Sequence, residues 1–442
     1  MPFLGPGVRH IQKQRFDPIT GMPNCAAFMM DYRPRPTDHI VVVALCDPNR
    51  FDELLRAVGG ECAEDFVRLG ARRVAEAASD EAKVYHLGGA KFALLSPAGA
   101  LPDLLQRLGA KFEDPIFCGD VPIGVDIAVG VANCRELDAS AAVRAAAAAA
   151  RDCRDNGGAW ACYDQAADAE QRRKFLLFAH LPSAIKASDQ LHLHYQPKRD
   201  MLADRTTGVE ALLRWRHPIL GDIPPSDFIP SAEAAGRIHL ITEWVLRNAI
   251  AQIATWAADG LWLTVAINVS PRDLARRGFS AQVVGALKEF GVPPARIELE
   301  FTEGVMFNKD PVILSEARAL RASGVRIALD DFGTGFANFS HIVNLPADAV
   351  KIDKSLIGGI STNNRSITLV RSIINMAHEM GYTVVAEGIE SEAEYNMLRS
   401  MGCDEGQGYY ISKPVAPDDI PRKLALEMRA GADDGDGDAL LV

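Results

Sequence analysis

Seven residues between positions 210 and 387 stand at or near the ends of short apolar runs and carry groups able to do chemistry: Glu210, Asn268, Glu300, Asp330, Asp331, Lys351 and Glu387. Five are carboxylates. If their runs are neighbouring strands, the side chains converge on one cavity. Like charges about 4 Å apart then repel by about 4 kcal/mol per pair at an effective dielectric of ~20. Such a cluster must protonate, spread apart or hold cations. Two divalent ions together with Lys351 bring its formal charge to zero, and oxygen ligands favour Mg²⁺ or Mn²⁺ over zinc. The adjacent pair Asp330-Asp331 suits one carboxylate shared between two ions and the next bound to one. Two ions about 3.5–4 Å apart form the arrangement with which water displaces a phosphoester oxygen. The residues alone predict a metal-dependent phosphoester hydrolase.

These groups need a frame. Apolar runs of strand length occur at 193–196, 207–213, 263–269, 296–301, 325–329, 349–352, 383–386 and 408–412. Helical patterns separate the later ones: 365–380 ends at Gly381, and 391–401 opens with a capping box (Ser391, Glu394) and ends at Gly402. Eight strands alternating with helices predict a TIM-like (β/α)8 barrel, whose functional side chains project from the C-terminal strand ends. An open doubly wound sheet is the alternative, but no Gly-rich phosphate loop follows any strand. Ahead of the barrel, strand-like runs at 40–45, 91–95 and 123–131 alternate with helical patterns at 51–58, 63–78 and the alanine-rich 141–154. This predicts a separate α/β domain. The expected organisation is an α/β domain over 1–165, a linker helix over 166–189, the barrel over 190–429 and a flexible acidic tail over 430–442. The tail lacks the glutamate that a calcium loop needs.

Composition narrows the function classes. The 442 residues include 47 basic and 58 acidic side chains, a formal net charge of −11. That balance argues against a nucleic-acid binder or an anionic-membrane surface protein, both of which need a basic face. Eight scattered cysteines without a CxxC pair read as reduced thiols. No apolar run reaches signal-peptide or membrane-span length, so the expectation is a cytoplasmic protein.

The run Glu210-Ala211-Leu212-Leu213-Arg214-Trp215 resembles the opening signature of the EAL-domain cyclic di-GMP phosphodiesterases. The resemblance continues in order through Tyr195-Gln196-Pro197, Asn268-Val269-Ser270, Glu300-Phe301-Thr302-Glu303 and Asp330-Asp331-Phe332-Gly333-Thr334-Gly335. It ends with Lys351-Ile352-Asp353, Glu387-Gly388-Ile389-Glu390, Gln407-Gly408-Tyr409 and Ser412-Lys413-Pro414. It implies that Glu210, Asn268, Glu300 and Asp330 hold one metal, that Asp330 and Asp331 hold a second, and that Glu387 binds the second metal or its water. It implies further that Lys351 orients and helps deprotonate the attacking water, that Arg214 grips a substrate phosphate, and that Gln407 and Gln196 lie beside substrate and metal. The segment 331–340, braced by Glu303, resembles a mobile loop coupling dimerisation to metal binding. The implied activity is hydrolysis of cyclic di-GMP to linear pGpG with two Mg²⁺ or Mn²⁺, in a homodimer formed through the EAL domain. Every ligand of the pattern is present, whereas non-enzymatic cyclic di-GMP receptors of this fold usually lack several. Such a receptor or scaffold remains the alternative.

The N-terminal domain resembles a GGDEF domain, the diguanylate cyclase fold, through Asp17-Pro18-Ile19-Thr20-Gly21-Met22-Pro23-Asn24, Asp47 and Phe51. Its signature hairpin survives as Gly88-Gly89-Ala90-Lys91-Phe92. Ala90 and Lys91 replace the two carboxylates of the signature. An alanine cannot bind a metal and an ammonium repels one, so the resemblance implies a domain without cyclase activity. Leu55 and Glu64 stand at the guanine-reading positions, and Ser79 and Ala82 where the product-inhibition motif would fall. The remaining role is regulation, dimer contacts or binding of a protein partner. Asp353 and Glu390 read as local hydrogen-bonding groups, and His217 as an exposed turn residue.

Overall fold

The structure, a computed structural model, describes residues 15–35, 37–46, 48–78, 82–135, 137–302, 310–333, 346–360 and 363–433. The chain divides into two compact units, Met1–Arg173 and Lys174–Val442.

The first unit is built on β1 (Asp38–Ala44), β2 (Val84–Gly88), β3 (Lys91–Pro97), the hairpin β4 (Ile116–Cys118) and β5 (Val121–Ile123), β6 (Ala128–Asn133) and β7 (Ala161–Cys162). The main sheet runs β2-β3-β1-β6-β7, antiparallel except at β6–β7. Alternation along β1 explains the layers. Val41 and Val43 share a core with Phe66 and Val74 of the helix Gly60–Ala78, while Ile40 and Val42 share one with Ala142 and Ala146 of the helix Ala139–Asp155. The alanines let that second helix approach closely: a Cβ at Gly130 would lie 1.9 Å from the Ala146 carbonyl oxygen. The single strand expected over 123–131 is split, because a turn at Gly119 (φ 62°) pairs Val121–Ile123 back onto β4.

The second unit is a closed barrel of eight strands: β8 (Leu191–Asp200), β9 (Arg205–His217, extended by the short hairpin strand β10, Gly221–Ile223), β11 (Thr264–Asn268), β12 (Ile297–Thr302), β13 (Arg326–Phe332), β14 (Ala349–Ile352), β15 (Thr383–Ala386) and β16 (Glu405–Gly406). From β9 through β16 the pairings are parallel. β8 closes the ring antiparallel to both β9 and β16. Strands buried on both faces read as the continuous apolar runs of the sequence. Outer helices such as Ile238–Ala258 cover them, with Trp256 meeting Tyr195 of β8 edge-on at 4.8 Å. The expected last strand at 408–412 is instead a turn, and the strand lies at 405–406. A Cβ at Gly408 would come within 2.1 Å of the Ile389 carbonyl oxygen, so the backbone bends there against its neighbour, leaving Tyr409 and Tyr410 exposed. The expected capping box of Ser391 and Glu394 is present. Among the described residues no helix is long and apolar enough to cross a membrane.

Candidate functional site

Each strand delivers one polar side chain to the C-terminal mouth of the barrel. Gln196 of β8 lies opposite Glu210 of β9, Asn268 ends β11 opposite Glu300 of β12, and Thr302 pairs with Asp330 of β13. Lys351 comes from β14, Glu387 follows β15 and Gln407 follows β16. Four carboxylates converge on one ammonium. Lys351 Nζ lies 2.5 Å from Glu387 Oε1, 2.7 Å from Glu300 Oε2, 3.3 Å from Asp330 Oδ1 and 3.8 Å from Glu210 Oε2. Glu300 and Lys351 are each only 1% exposed. Amides orient the last acid. Asn268 Nδ2 donates to Glu210 Oε1 at 2.5 Å, and Gln407 Nε2 to Glu210 Oε2 at 2.6 Å and Gln196 Oε1 at 3.0 Å. Gln196 is tied in turn to the Ser412 carbonyl oxygen.

The adjacent aspartates depend on a backbone irregularity. In a regular strand, consecutive side chains point to opposite faces. Between Leu329 and Phe332 the register of β13 on β14 shifts, so Asp330 and Asp331 together oppose Lys351 alone. Asp331 adopts φ 56°, a left-handed conformation unusual outside glycine. Its backbone N–H caps Asp330 Oδ1 at 3.0 Å, and Phe332 returns to the core. Asp331 itself is exposed and is not among the carboxylates gathered on Lys351. Gly333 follows with φ 91°. Glu303, Thr334 and Gly335, expected in the regulatory loop, lie outside the described residues, as do Asp47, Ser79 and 434–442 of the acidic tail.

One ammonium does not balance four acids. Burial raises the Glu300 pKa well above the carboxylate range, although Lys351 opposes it. Burial likewise pushes Glu387 up to about 7 against the same lysine. Burial opposes the charge on Lys351, yet Glu210, Glu300 and Glu387 raise its pKa well above normal. Glu210, despite burial, is lowered by Lys351 and its amide donors. Burial and the Asp330 charge raise Asp331. Two buried oxygens, Glu300 Oε1 and Gln407 Oε1, accept no hydrogen bond. As placed, no three Asp, Glu, His or Cys side chains among the described residues are grouped to hold an ion, because the acids close on Lys351 instead. The donor set nonetheless fits hard divalent cations: it is all oxygen, its surplus negative charge holds protons that cations would replace, and it has buried oxygens to spare.

Other expected residues lie outside the Lys351 cluster. Arg214, half-buried, donates from Nη1 to the Leu213 carbonyl oxygen and lines a cavity of about 460 Å³ with His192, His194 and Arg216. Asp353 caps the short helix Lys354–Ile357. His217 corrects the expectation of an exposed imidazole: it is buried, accepting from the backbone of Ile219 and Leu220 at Nδ1 and facing His180 at 2.9 Å. Sequence reasoning missed a lower tier of charge, the buried Lys198 and Glu298 with the half-buried Glu405. Its signal was spacing: Lys198 follows Gln196 by two and Glu298 precedes Glu300 by two, so each shares a strand face with a site residue.

In the first unit, Gly88 (φ 106°) and Gly89 (φ 56°) turn between β2 and β3. Ala90 is buried, Lys91 exposed, and Phe92 stacks on His86, whose Nε2 meets the Gly89 carbonyl oxygen at 2.8 Å. The hairpin is intact and presents no carboxylate.

Two family descriptions match the chain: the EAL domain over residues 179–414, and the diguanylate cyclase GGDEF domain over residues 14–159. Cyclic di-GMP phosphodiesterase PA2567 of Pseudomonas aeruginosa is 36% identical over 373 residues, covering 83% of this chain and 63% of that protein. Oxygen sensor protein DosP of Escherichia coli is 30% identical over 421 residues, covering 93% of this chain and 52% of that protein. The chain thus spans about half to two thirds of the length of these curated relatives. Among solved structures, the PaMucR phosphodiesterase in complex with c-di-GMP superposes with a TM-score of 0.53 at 35% identity, over 55% of this chain and 99% of that one. The barrel agrees with these matches, and the chain belongs to the EAL-domain family, with a GGDEF domain preceding the EAL domain in tandem.

Proposed function

We propose that the barrel hydrolyses cyclic di-GMP to linear pGpG with two Mg²⁺ or Mn²⁺ ions, and that the GGDEF domain is not a cyclase. The observation that carries this reading is the convergence of Glu210, Glu300, Asp330 and Glu387 on Lys351 at the barrel mouth. Glu210, Asn268, Glu300 and Asp330 would hold one ion, Asp330 and Asp331 the second, with Glu387 beside it. Such ions supply Lewis-acid charge against the phosphodiester oxygens and acidify water. Water is the nucleophile in this reading. Lys351, kept cationic by its neighbours, orients that water by donating hydrogen bonds. Glu387, 2.5 Å from Lys351 Nζ, would bind the second ion or its water, and Lys351 helps that water lose its proton. Arg214 neutralises a substrate phosphate oxygen at the rim, and Gln407 and Gln196 hold Glu210 in line.

The test is turnover of the purified chain with cyclic di-GMP and Mg²⁺ or Mn²⁺, products separated by chromatography, beside Glu210→Ala. The expected result is metal-dependent pGpG in the parent and a loss of at least about a hundredfold in the variant. Tight binding without turnover would select the receptor reading. Incubation with GTP should yield no cyclic di-GMP.

A further inference from the structure

The charged groups do not end at the proposed ligands. One tier deeper, Lys198 of β8 and Glu298 of β12 point into the barrel beneath Gln196 and Glu300, both almost wholly buried. Lys198 Nζ pairs with Glu298 Oε1 and stands 3.6 Å from Glu300 Oε1. Gly208 faces its stem: a Cβ there would lie 2.9 Å from the Thr264 carbonyl oxygen and 3.7 Å from Lys198 Cε. Glu298 has a second cation, since Arg326 Nε lies 3.4 Å from its Oε2. Lys198 is therefore more than the counter-ion Glu298 needs. Glu300 has no such surplus. Lys351 takes its Oε2 at 2.7 Å, while Oε1 accepts no hydrogen bond and has Lys198 as its cation.

We propose that Lys198 is a positioning residue for Glu300: by holding Oε1 from the barrel floor, it keeps Oε2 turned to the mouth. There, on the reading above, a divalent cation binds. The cation beneath the ligand is part of the scaffold, whereas Lys351 stands within the mouth cluster itself. A carboxylate gripped at one oxygen loses less freedom when the other takes an ion.

The experiment is Mn²⁺ titration of the full chain, read by the electron-spin-resonance signal of free Mn²⁺, alongside melting temperature. E298Q leaves Lys198 facing Glu300 and Glu405 and should keep Mn²⁺ affinity within about threefold of the parent. K198M/E298Q removes one charge of each sign, keeps the net charge of the tier unchanged, and should bind Mn²⁺ about tenfold or more weakly while melting like E298Q. A double variant that binds as tightly as E298Q, or that fails to fold where E298Q folds, overturns the proposal, since Lys198 then serves the fold alone. An equal loss in E298Q overturns it too. A parent that binds no Mn²⁺ removes the metal-dependent reading as well. A parent that binds Mn²⁺ without hydrolysing cyclic di-GMP removes only the hydrolase reading.

Discussion

Lys351→Met tests the electrostatics of the mouth directly. The ammonium meets four carboxylates at 2.5 to 3.8 Å. Each contact is worth about 4–7 kcal/mol of gross attraction at an effective dielectric of ~20. Desolvation offsets most of this, and breaking a buried pair by removing one partner typically costs about 3–5 kcal/mol net. Protonation of Glu300 and Glu387, both shifted upward by burial, sets the limit at neutral pH. For a domain of this size the cost corresponds to a melting temperature lower by about 10 °C in chelator. The pH dependence has a definite sign. The folded pKa of Glu387 is about 7, above its ordinary 4.5, so the barrel binds more protons than the unfolded chain. That stabilisation is fully present below about 4.5 and is lost as pH rises through 7, and the slope should steepen without Lys351. Divalent ions replace the missing charge, so saturating Mg²⁺ or Mn²⁺, at about a hundredfold over Kd, should return about 2.7 kcal/mol for each site filled. Differential scanning calorimetry at several pH values, with and without metal, reads all of this. Were Lys351→Met to melt within about 2 °C of the parent in chelator, or to gain nothing from metal, the charge-surplus argument would be wrong.

Other substitutions test separate features. Glu316 accepts from the backbone N–H groups of Gly278 and Ser280, both at 2.8 Å, capping the helix Phe279–Phe290, whose own N-cap is a glycine without a side chain to do so. Although burial opposes it, the hydrogen bonds from Ser280 and Gly278 lower its pKa, so its contribution is present above the ordinary value of 4.5 and lost as pH falls through the lower folded one. Glu316→Gln should cost about 1 kcal/mol by urea denaturation at pH 7 and nearly nothing in acid. Gly130→Ala would press a methyl into the backbone of the helix Ala139–Asp155 and should destabilise the first unit by about 3 kcal/mol, seen as an earlier transition of that unit alone. Gly408→Ala, facing the Ile389 backbone at 2.1 Å, should do the same to the barrel and disturb the neighbouring Gln407, measured as lost turnover together with lost stability.

Most barrel strands, the acids at their ends and the substituted hairpin at Ala90-Lys91 were legible in the sequence, because strand periodicity, cap residues and charged groups at strand ends are local signals. So was the surplus of negative charge at the mouth, since it needs only a count of acids once the strands are taken to close into a barrel. Tertiary structure alone decided how that charge is handled. Lys351 gathers four acids from four strands, and no spacing between residues 210 and 387 specifies which oxygen meets its ammonium. The bulge that sets Asp330 and Asp331 together against Lys351 depends on register with β14. The bend at Gly408 that ends the last strand early depends on the Ile389 backbone. The antiparallel closure by β8 and the lysine under Glu300 depend on which strands become neighbours. Local sequence sets what each strand can offer; a contact between groups a hundred residues apart exists only once the ring has closed and water has left its interior.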